Sequence, residues 1–274
     1  MRGDLCSDTR TNVINETMNR AAFESDGRFH SMLSEPIAEQ ARVHVGGDDQ
    51  LSQRLFKIRA ANTAGQRSSA NILIKRRYAW RGYQPALLPT QESLDRITLI
   101  ASDEDATIGT MSVGFDGEEG LLVEDLFPRE VRRLRDSGRR VCEFTKLAMD
   151  STLGSKRVLA SLFHVAYIYA YRVRGFDCLL IEVNPRHAKY YQKILGFELM
   201  GSERMNLRVN APAVLLFLDF SHTEQQIGRF GGQPELSAIE RSLYPYSFSL
   251  AEEAGIVGRL KISLAAMQPA GYQH

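Results

Sequence analysis

The stretch Ile181 to Phe197, I-E-V-N-P-R-H-A-K-Y-Y-Q-K-I-L-G-F, decides the fold. It leaves an apolar strand through Asn-Pro, enters a short helix with two adjacent tyrosines, and closes on Gly-Phe. Polar residues that directly follow a strand lie at its carboxyl end, where ligands of open sheets usually bind. The stretch therefore predicts a strand, a helix at Arg186 to Leu195, and a functional edge of the sheet between them.

The segments on either side extend this pattern. Cys178 to Val183 is a strand of the apolar kind that is buried on both faces. Gly154 to Gly175 is apolar on most faces and ends at a glycine, which predicts a buried helix. Val141 to Met149 and Ala213 to Phe220 are predicted as further strands. The second half of the chain thus alternates strands and helices.

The first half is richer in strands. Its predicted elements are a strand at Leu51 to Ala60, a helix at Asn71 to Tyr83, a hairpin of Ile97 to Ala101 with Ile108 to Phe115, and a helix at Leu126 to Arg135. Strands first and strand-helix alternation later predict an α/β (mixed α+β) fold, with helices on both faces of a mixed sheet.

Three parts are expected along the chain. Residues 1–50 are polar with scattered apolar residues, as in a flexible or loosely packed leader. Residues 51–220 hold the predicted sheet and form the core domain. Residues 221–274 are predicted to be helical in pieces, broken by glycine and proline, and to pack on the core as an extension.

Bulk composition narrows the class of protein. The 274 residues carry a net charge of +1 and 43% apolar residues, so the chain is globular with no overall electrostatic case for nucleic acid. Cys6, Cys142 and Cys178 form no C-x-x-C pair, which predicts reduced thiols in a cytoplasmic protein. There is no run of 18 apolar residues, and the six histidines have no metal-ligand spacing, so neither a membrane span nor a metal is expected.

Four motifs together carry a resemblance to a known family. The Asn-to-Phe stretch above resembles the C-terminal half of the GCN5-related N-acetyltransferase superfamily, which has a mostly antiparallel sheet flanked by helices. The other three are R-Y-A-W-R-G-Y (Arg77 to Tyr83), V-C-E-F-T-K-L-A-M-D (Val141 to Asp150) and A-P-A-V-L-L-F-L-D-F (Ala211 to Phe220). With these, the chain resembles the long-chain N-acyl amino acid synthases, which are related to acyl-homoserine-lactone synthases. The resemblance implies transfer of a fatty acyl group from acyl carrier protein to an amino acid amine.

Aminolysis of a thioester needs a deprotonated amine, a polarised carbonyl and a protonated leaving thiolate. Glu143 is an acid within an apolar strand, and burial would raise its pKa toward the range of a general base. The resemblance to the lactone synthases implies the same role, although Lys146 stands where their E-x-x-R motif has arginine. A structural ion pair of Glu143 is the alternative.

Asn184 and the tyrosines complete the expected catalytic set. The resemblance implies that Asn184 bonds backbone groups of the separated strands or the pantetheine amides. It also implies that Tyr191 or Tyr190 protonates the departing thiolate, since a tyrosine lies on the same helix in the superfamily. Packing of both tyrosines in the core is the alternative.

The donor site is expected at the start of the long helix. The glycine-rich pyrophosphate signature of coenzyme A users is missing there, and Gly154, Lys156 and Arg157 stand in its place. A helix N-terminus offers free N–H groups and a positive dipole end to one phosphate, which suits the phosphopantetheine of a carrier protein. The resemblance implies that backbone groups of the strand, around Leu147 and Met149, bind the pantetheine arm. Coenzyme A remains the alternative donor.

The partner and acceptor sites are expected on arginine-rich segments. Arg129 to Arg140 holds six arginines, and such a basic face suits an acidic acyl carrier protein, with a solvated helix face as the alternative. Arg77 or Arg81, beside Trp80, is expected to grip the acceptor's carboxylate through a bidentate guanidinium. Acceptor contacts are also expected from Arg186 and His187, which follow the strand's carboxyl end.

Three rival functions fit the same sequence. They are a coenzyme A-dependent acyltransferase, a lactone synthase that consumes S-adenosylmethionine, and a non-catalytic module that binds an acyl carrier protein. Fold alone does not separate them, because one fold hosts many activities.

Overall fold

The computed structural model of the chain describes residues 38–43, 53–79, 82–83, 87–88 and 95–265. Its strands are β1 Ala38–Val43, β2 Gln53–Ala60, β3 Arg96–Asp103, β4 Ala106–Phe115, β5 Val141–Met149, β6 Cys178–Val183, β7 Glu198–Asn206 and β8 Ala211–Asp219. These eight strands form one sheet in the order β1-β2-β3-β4-β5-β6-β8-β7. All neighbours are antiparallel except β5 and β6, which confirms the expected mixed, mostly antiparallel sheet.

Helices cover both faces of this sheet. They are α1 Ala64–Ala79, α2 Pro128–Asp136, α3 Lys156–Tyr167, α4 Pro185–Leu195, α5 Phe220–Phe230 and α6 Leu250–Ala265. Short 3-10 helices lie at Leu122–Asp125, Pro234–Ala238 and Tyr244–Tyr246, and α3 continues as a π-helix over Ile168–Val173. None of the helices within the described ranges is long and apolar enough to cross a membrane.

Alternation along the strands separates the two faces. On one face, Ile100 and Ala148 pack under α1, while Val141 and Leu180 pack under α2. On the other face, neighbouring residues such as Cys142 join the large core with α3 and the C-terminal helices. Successive residues of a strand point to opposite faces, so one strand serves both layers. The face of α1 and α2 and the face of α3 thus have separate cores.

The N-terminal elements differ in detail from the prediction. Ala38–Val43, within the expected leader, is a strand paired antiparallel with β2, while residues 1–37 and 44–50 lie outside the described ranges. α1 begins at Ala64, seven residues before the predicted start at Asn71. Its N-terminus is a capping box, because the Thr63 hydroxyl accepts from the Gln66 N–H at 3.2 Å and the Gln66 side chain accepts from the Thr63 N–H at 3.0 Å.

The C-terminal extension is tied to the core by a buried polar network. The His164 ring on α3 accepts a hydrogen bond from the Phe248 N–H at 3.0 Å and contacts Glu253 Oε2 on α6 at 3.0 Å. Arg172 donates to Glu253 at 2.7 Å and to Glu224 on α5 at 2.5 Å. Both carboxylates therefore pair with one guanidinium, and they tie α5 and α6 to the end of the helix that continues α3.

This network makes stability depend on pH in a defined direction. Burial lowers the pKa of His164, and its Nδ1 is already an acceptor, so a second ring proton would break the bond from the Phe248 N–H. The unfolded chain takes up that proton below about pH 6.5 and the folded chain resists it. The stabilisation from neutral His164 should therefore be complete above that pH, and the free energy of unfolding should fall as the pH drops from about 6.5 to 5.5.

Urea denaturation at several pH values measures this slope. His164→Gln, which removes the titrating ring but keeps a donor and an acceptor, should flatten the slope in that interval. An unchanged slope in His164→Gln would contradict the assignment. The bond to His164 and the charge of Arg172 hold the pKa of Glu253 below its ordinary value, although burial acts in the opposite direction. Glu253 therefore also stabilises the fold less as the pH falls, but only at a lower pH than His164 does.

Candidate active site

β5 and β6 run side by side for three residue pairs and then separate. The last pair is Glu143 with Leu180, after which β5 bonds only to β4 and β6 only to β8. The facing edges from Phe144 and from Ile181 onward therefore carry backbone N–H and C=O groups with no partner strand. Such groups require partners, and an extended chain that contains amides can supply them by lying between the strands.

A β-bulge in β5 causes this separation. Ser112 of β4 faces Thr145 and Thr110 faces Ala148, so Met111 is opposed by two residues, Lys146 and Leu147. Lys146 adopts a positive φ of 52° to make the bulge. A bulge inserts one residue, bends the strand and increases its twist, which turns the second half of β5 away from β6.

Glu143, the last residue before the separation, is fully bonded within the protein. Its side chain is 1% exposed and pairs with Arg96 Nη2 at 2.7 Å. It also accepts the N–H of Leu122 at 3.1 Å and of Val123 at 2.9 Å, at the start of the Leu122–Asp125 helix. The carboxylate thus joins β5, β3 and the connection before α2.

Gly114 makes this ion pair possible. It lies in register between Arg96 of β3 and Glu143 of β5, on the strand that separates them. A Cβ atom on Gly114 would lie 2.8 Å from Glu143 Oε1 and 2.9 Å from Arg96 Nη1. Only glycine therefore leaves room for the two side chains to meet across β4.

These contacts correct the role predicted for Glu143. Its partner is Arg96 and not Lys146, and three hydrogen bonds occupy a carboxylate that has almost no exposure. A direct general base must reach the amine, so the geometry favours the structural ion pair, the alternative that the sequence left open. Glu143 fixes the position of the strand where β5 and β6 separate.

Polar side chains form a stripe across the sheet between α1 and α2. We define this polar stripe as Arg96, Thr98, Ser112, Glu143, Lys146 and Glu182. The Thr98 and Ser112 hydroxyls bond to each other at 2.8 Å, and Arg208 donates to Glu182 at 2.7 Å. Burial raises the pKa of Glu182 despite its bonds to Arg208 and Asn206. Mixed charges in a partly buried site suit a small ligand that itself carries both signs.

Lys146 is a residue of this stripe that the sequence marked only as the position of the motif's arginine and not for a chemical role. Burial, together with the neighbouring cations Arg96 and Arg208, lowers the pKa of its ammonium to about 8, although the carboxylate of Glu143 acts in the opposite direction. A lysine with a pKa this close to neutral pH can accept a proton, and lysines of this kind are common at catalytic sites. The sequence alone does not predict this role for Lys146, because the β-bulge that positions the residue is apparent only in the folded sheet.

Asn184 caps the helix that follows β6. Its Oδ1 accepts the Arg186 N–H at 3.2 Å, and its Nδ2 donates to the Pro212 carbonyl of β8 at 3.3 Å. Both polar atoms of the side chain bond backbone, so Asn184 anchors the end of β6 to α4 and β8. These backbone partners lie on β8 and α4 and not on the two separated strands, where the resemblance implied the contact.

The two tyrosines of α4 have different surroundings. Tyr191 packs against the large core and makes an edge contact with Phe197 at 6.1 Å between ring centroids. Tyr190 is 45% exposed, and partial burial raises the pKa of its phenol. The rings of Tyr190 and Tyr191 contact each other edge to face, with 5.6 Å between their centroids.

Arg186, one of the residues predicted to hold the acceptor, contacts the segment that follows α1. The Arg186 guanidinium donates to the Tyr83 hydroxyl at 2.6 Å, which links α4 to the segment after α1. Arg76 of α1 pairs with Asp150 at the end of β5. The C-terminal end of α1 therefore spans the open ends of β5 and β6. Arg77 is half-buried at this end and His187 is half-buried in the first turn of α4, while the predicted residues Trp80 and Arg81 lie outside the described ranges.

The loop between β5 and α3 is closed on its own backbone. Asp150 Oδ1 accepts the N–H groups of Thr152 and Leu153, both at 2.9 Å, and the Asp150 carbonyl accepts the Gly154 N–H at 3.1 Å. A Cβ atom on Gly154 would lie 2.4 Å from that carbonyl oxygen, so the position requires glycine. Three consecutive amides of this loop are therefore occupied by Asp150.

The first turn of α3 carries two cations. Ser155 caps it by accepting the Val158 N–H at 3.3 Å, and Lys156 is exposed beside the half-buried Arg157. A helix start with two cations can hold one phosphate group. Leu147 and Met149 pack against the large core and lie on the half of β5 that has left β6.

The arginine-rich segment before β5 is only partly a free basic face. Arg135 is paired with Asp116 and Glu124, and Arg139 with Asp219. Arg140 stacks on Phe176 with its guanidinium carbon 4.8 Å from the ring centre. The exposed remainder lies on α2, at the end of β5 where β5 and β6 still pair. The nine residues of β5 make eight steps of about 3.3 Å, so this end of the strand lies roughly 26 Å from the end that leads to α3.

Two further findings concern the chemistry of the described residues. Cys142 and Cys178 are buried free thiols, and burial raises the pKa of both, so neither is a reactive thiolate. In this part of the chain no group of three or more His, Cys, Asp or Glu side chains is arranged to hold a metal ion.

Comparisons with known proteins agree with this geometry. A family model described as N-acyl amino acid synthase FeeM matches residues 69–219. The solved structure of FeeM, an N-acyl amino acid synthase from uncultured soil microbes, is similar at 27% identity and a TM-score of 0.56, over 61% of this chain and 93% of that chain. The comparison with curated proteins found no match.

Two more distant structures are also similar. A putative N-acetyltransferase from Lactobacillus plantarum has 14% identity and a TM-score of 0.44, over 60% of this chain and 97% of that one. The acyl-homoserine-lactone synthase LasI has 12% identity and a TM-score of 0.43, over 60% of this chain and 88% of that one.

The mixed sheet with separating parallel strands is the GCN5-related N-acyltransferase fold, and the protein is an acyltransferase. The chain belongs to the N-acyl amino acid synthase FeeM family, whose model covers more than half of it. The resemblance drawn from the four motifs is thereby confirmed. The match ends at residue 219, so the C-terminal extension lies beyond the part shared with the family model.

Proposed function

We propose that the protein transfers a long-chain fatty acyl group from acyl carrier protein to the α-amine of an amino acid. One observation carries the proposal. The gap between β5 and β6 can take the amide-containing pantetheine arm, and it opens directly beside the polar stripe, which suits a zwitterionic acceptor. Donor thioester and acceptor amine would then meet at the bulge of β5.

The loop before α3 supports a carrier-bound donor over coenzyme A. Asp150 occupies the amides of Thr152 and Leu153 and places a carboxylate where a pyrophosphate would otherwise find free N–H groups. The bond from the Leu153 N–H keeps the pKa of Asp150 below its ordinary value, so this carboxylate stays charged. A pyrophosphate would find those amides already occupied, whereas one phosphate could bind at the helix start beside Lys156 and Arg157.

The docking surface for the carrier protein is placed around the same opening. Exposed cations from three helices surround it, and we define this basic rim as Lys75 of α1, Lys156 of α3, and Arg186 and Lys189 of α4. An acidic carrier protein seated on the basic rim would present its phosphate to α3 and its arm to the gap. The face of Arg129 to Arg140, proposed from the sequence, lies too far along β5 to do both.

The acyl chain requires apolar cover. Phe144, where the strands separate, lines an apolar cavity of about 20 Å³ between the sheet and the C-terminal extension, together with Tyr167 and Tyr244. That space holds about one water molecule, and each CH₂ left in water forgoes roughly 0.8 kcal/mol. We infer that the extension moves to admit the chain.

The remaining roles follow from position. Tyr190 or Tyr191 protonates the leaving thiolate, and Asn184 holds the end of β6 so that the gap stays open. Arg77, with Arg186 and His187, binds the acceptor's carboxylate at the mouth. Both substrates are cytoplasmic molecules, and the protein is placed there for that reason.

Mass spectrometry of reaction products tests the proposal. Purified protein is incubated with palmitoyl acyl carrier protein and the twenty amino acids, and in parallel with palmitoyl-coenzyme A. An N-palmitoyl amino acid formed from the carrier-protein donor is the expected result. Product from coenzyme A alone would overturn the donor assignment, a lactone formed only with S-adenosylmethionine would mark a lactone synthase, and donor binding without turnover would mark a binding module.

Reversing charge on the basic rim should weaken the use of the carrier protein. Lys156→Glu with Lys189→Glu is expected to raise the KM for palmitoyl acyl carrier protein about tenfold or more at low salt, because complementary charge steers association. The matched control is Arg132→Glu with Arg133→Glu on α2, which is expected to leave KM within about twofold. A larger increase in KM for the α2 double variant than for the basic-rim double variant would instead indicate that the carrier protein docks on α2.

A further inference from the structure

The backbone of Lys146 is held in a conformation that lysine seldom adopts. Its φ of 52° lies in the left-handed region, where glycine and asparagine are the usual residues. A glycine at this bulge would avoid the strain. Unfavourable backbone geometry of this kind, retained next to a site, is an observation that points to a role for the side chain.

The Lys146 side chain lies among charged groups from several strands of the sheet. Its charged neighbours are Arg96 of β3, Glu143 of β5 and Arg208 of the β7–β8 turn. Arg208 is in turn held by Glu182 of β6 at 2.7 Å and by Asp125 at 3.3 Å. The ammonium is therefore placed among groups from both sides of the gap, at the edge of the polar stripe.

The ammonium is also the group of this cluster that is left for a ligand. Glu143 is saturated by Arg96 and two amides, and Glu182 by Arg208 and Asn206. In contrast, Lys146 makes no hydrogen bond or ion pair with any residue in the described part of the chain. Two nearby cations and partial burial disfavour its charged form, so the neutral amine is accessible near physiological pH.

We propose that Lys146 is the general base of the acyl transfer, accepting a proton from the acceptor's amine as the amine attacks the thioester carbon. This inference rests on the proposed function. The C–N bond forms, the C–S bond breaks and its electron pair leaves with sulfur, while one N–H proton passes to Lys146 Nζ. The thiolate takes a proton from Tyr190 or Tyr191, and the resulting phenolate regains a proton from Lys146 through solvent, so the products are an amide and a thiol. Before the attack, the acceptor's ammonium has lost one proton to solvent.

Three substitutions distinguish a role of Lys146 as a base from a role as a positive charge and from a role in folding. Lys146→Met removes the base, Lys146→Arg keeps a charge that does not dissociate, and Lys146→Gly also relieves the backbone strain. We expect kcat to fall about 10² to 10⁴-fold in all three variants. Lys146→Gly should unfold at a temperature no lower than wild type, which shows that the loss is not misfolding. Lys261→Met, an exposed lysine on α6, is the control and should keep wild-type kcat.

The pH profile provides the second readout. The ratio of wild-type kcat to that of Lys146→Met cancels the acceptor's own titration. This ratio should rise about tenfold per pH unit below the pKa of Lys146, which is about 8, and level off above it. Activity of Lys146→Arg within threefold of wild type, or a ratio that does not change with pH, would overturn the assignment. Wild-type protein that forms no N-acyl amino acid would instead refute the proposed function.

Discussion

Replacing Glu143 with alanine should lower the free energy of unfolding by about 3–5 kcal/mol, the usual cost of removing one partner from a buried ion pair. The substitution leaves the guanidinium of Arg96, which is 16% exposed, without its carboxylate. It also leaves the N–H groups of Leu122 and Val123 without acceptors. Urea denaturation measures the loss, and Glu203→Ala, on the exposed face of β7, is the control with no expected change.

Gly114 provides an independent check of the same contact. Gly114→Ala removes neither charge but inserts a methyl group 2.8 Å from Glu143 Oε1, so it should also destabilise the protein. The two effects should not add, because each substitution disrupts one interaction. A Glu143→Ala variant within about 1 kcal/mol of wild type would contradict the structural role given to this carboxylate.

Replacing Glu253 with alanine should cost a similar amount, about 3–5 kcal/mol, by breaking the network that holds the C-terminal extension. Glu253 is 4% exposed and receives both the His164 ring and the Arg172 guanidinium. Removing it leaves the ring's Nε2 proton buried without an acceptor. Thermal and urea unfolding of the variant measure the loss.

Proteolysis locates this effect within the chain. Limited digestion of Glu253→Ala should cut within residues 231–250, between α5 and α6, faster than wild type while the sheet stays intact. Lys261→Met, on the exposed side of α6, is the control and should be cut at the wild-type rate. Unchanged stability together with an unchanged cleavage pattern would show that the network does not anchor the extension.

Local patterns predicted the elements that build the site. β5, β6 and β8 are apolar runs, and α4 follows from the Asn-Pro to Gly-Phe stretch, so hydrophobic periodicity sufficed for them. The start of α1 at Ala64 could also have been predicted, because T-A-G-Q at residues 63–66 has the spacing of a capping box. β7 was not predicted, since an edge strand with the sequence E-L-M-G-S-E-R-M-N is mostly exposed and lacks an apolar alternation.

The contacts that determine the roles of the site residues could not be predicted from local sequence patterns. Arg96 lies 47 residues from Glu143, and their pairing depends on the register of three strands with a glycine between them. The position of Lys146 depends on one extra residue in β5, which periodicity does not register. The sequence therefore indicated which strand carries the site, while the choice between Glu143 and Lys146 required the folded sheet.

We propose that the acyl donor lies between β5 and β6. Hydrogen exchange, measured with and without a carrier protein that bears a non-cleavable palmityl ketone thioether, tests this position. Bound donor should slow the exchange of the backbone amides in residues 144–149 and 181–183, on the facing edges of the two strands. Unchanged exchange there, with protection confined to α2 or to the acidic loop at residues 116–125, would contradict it.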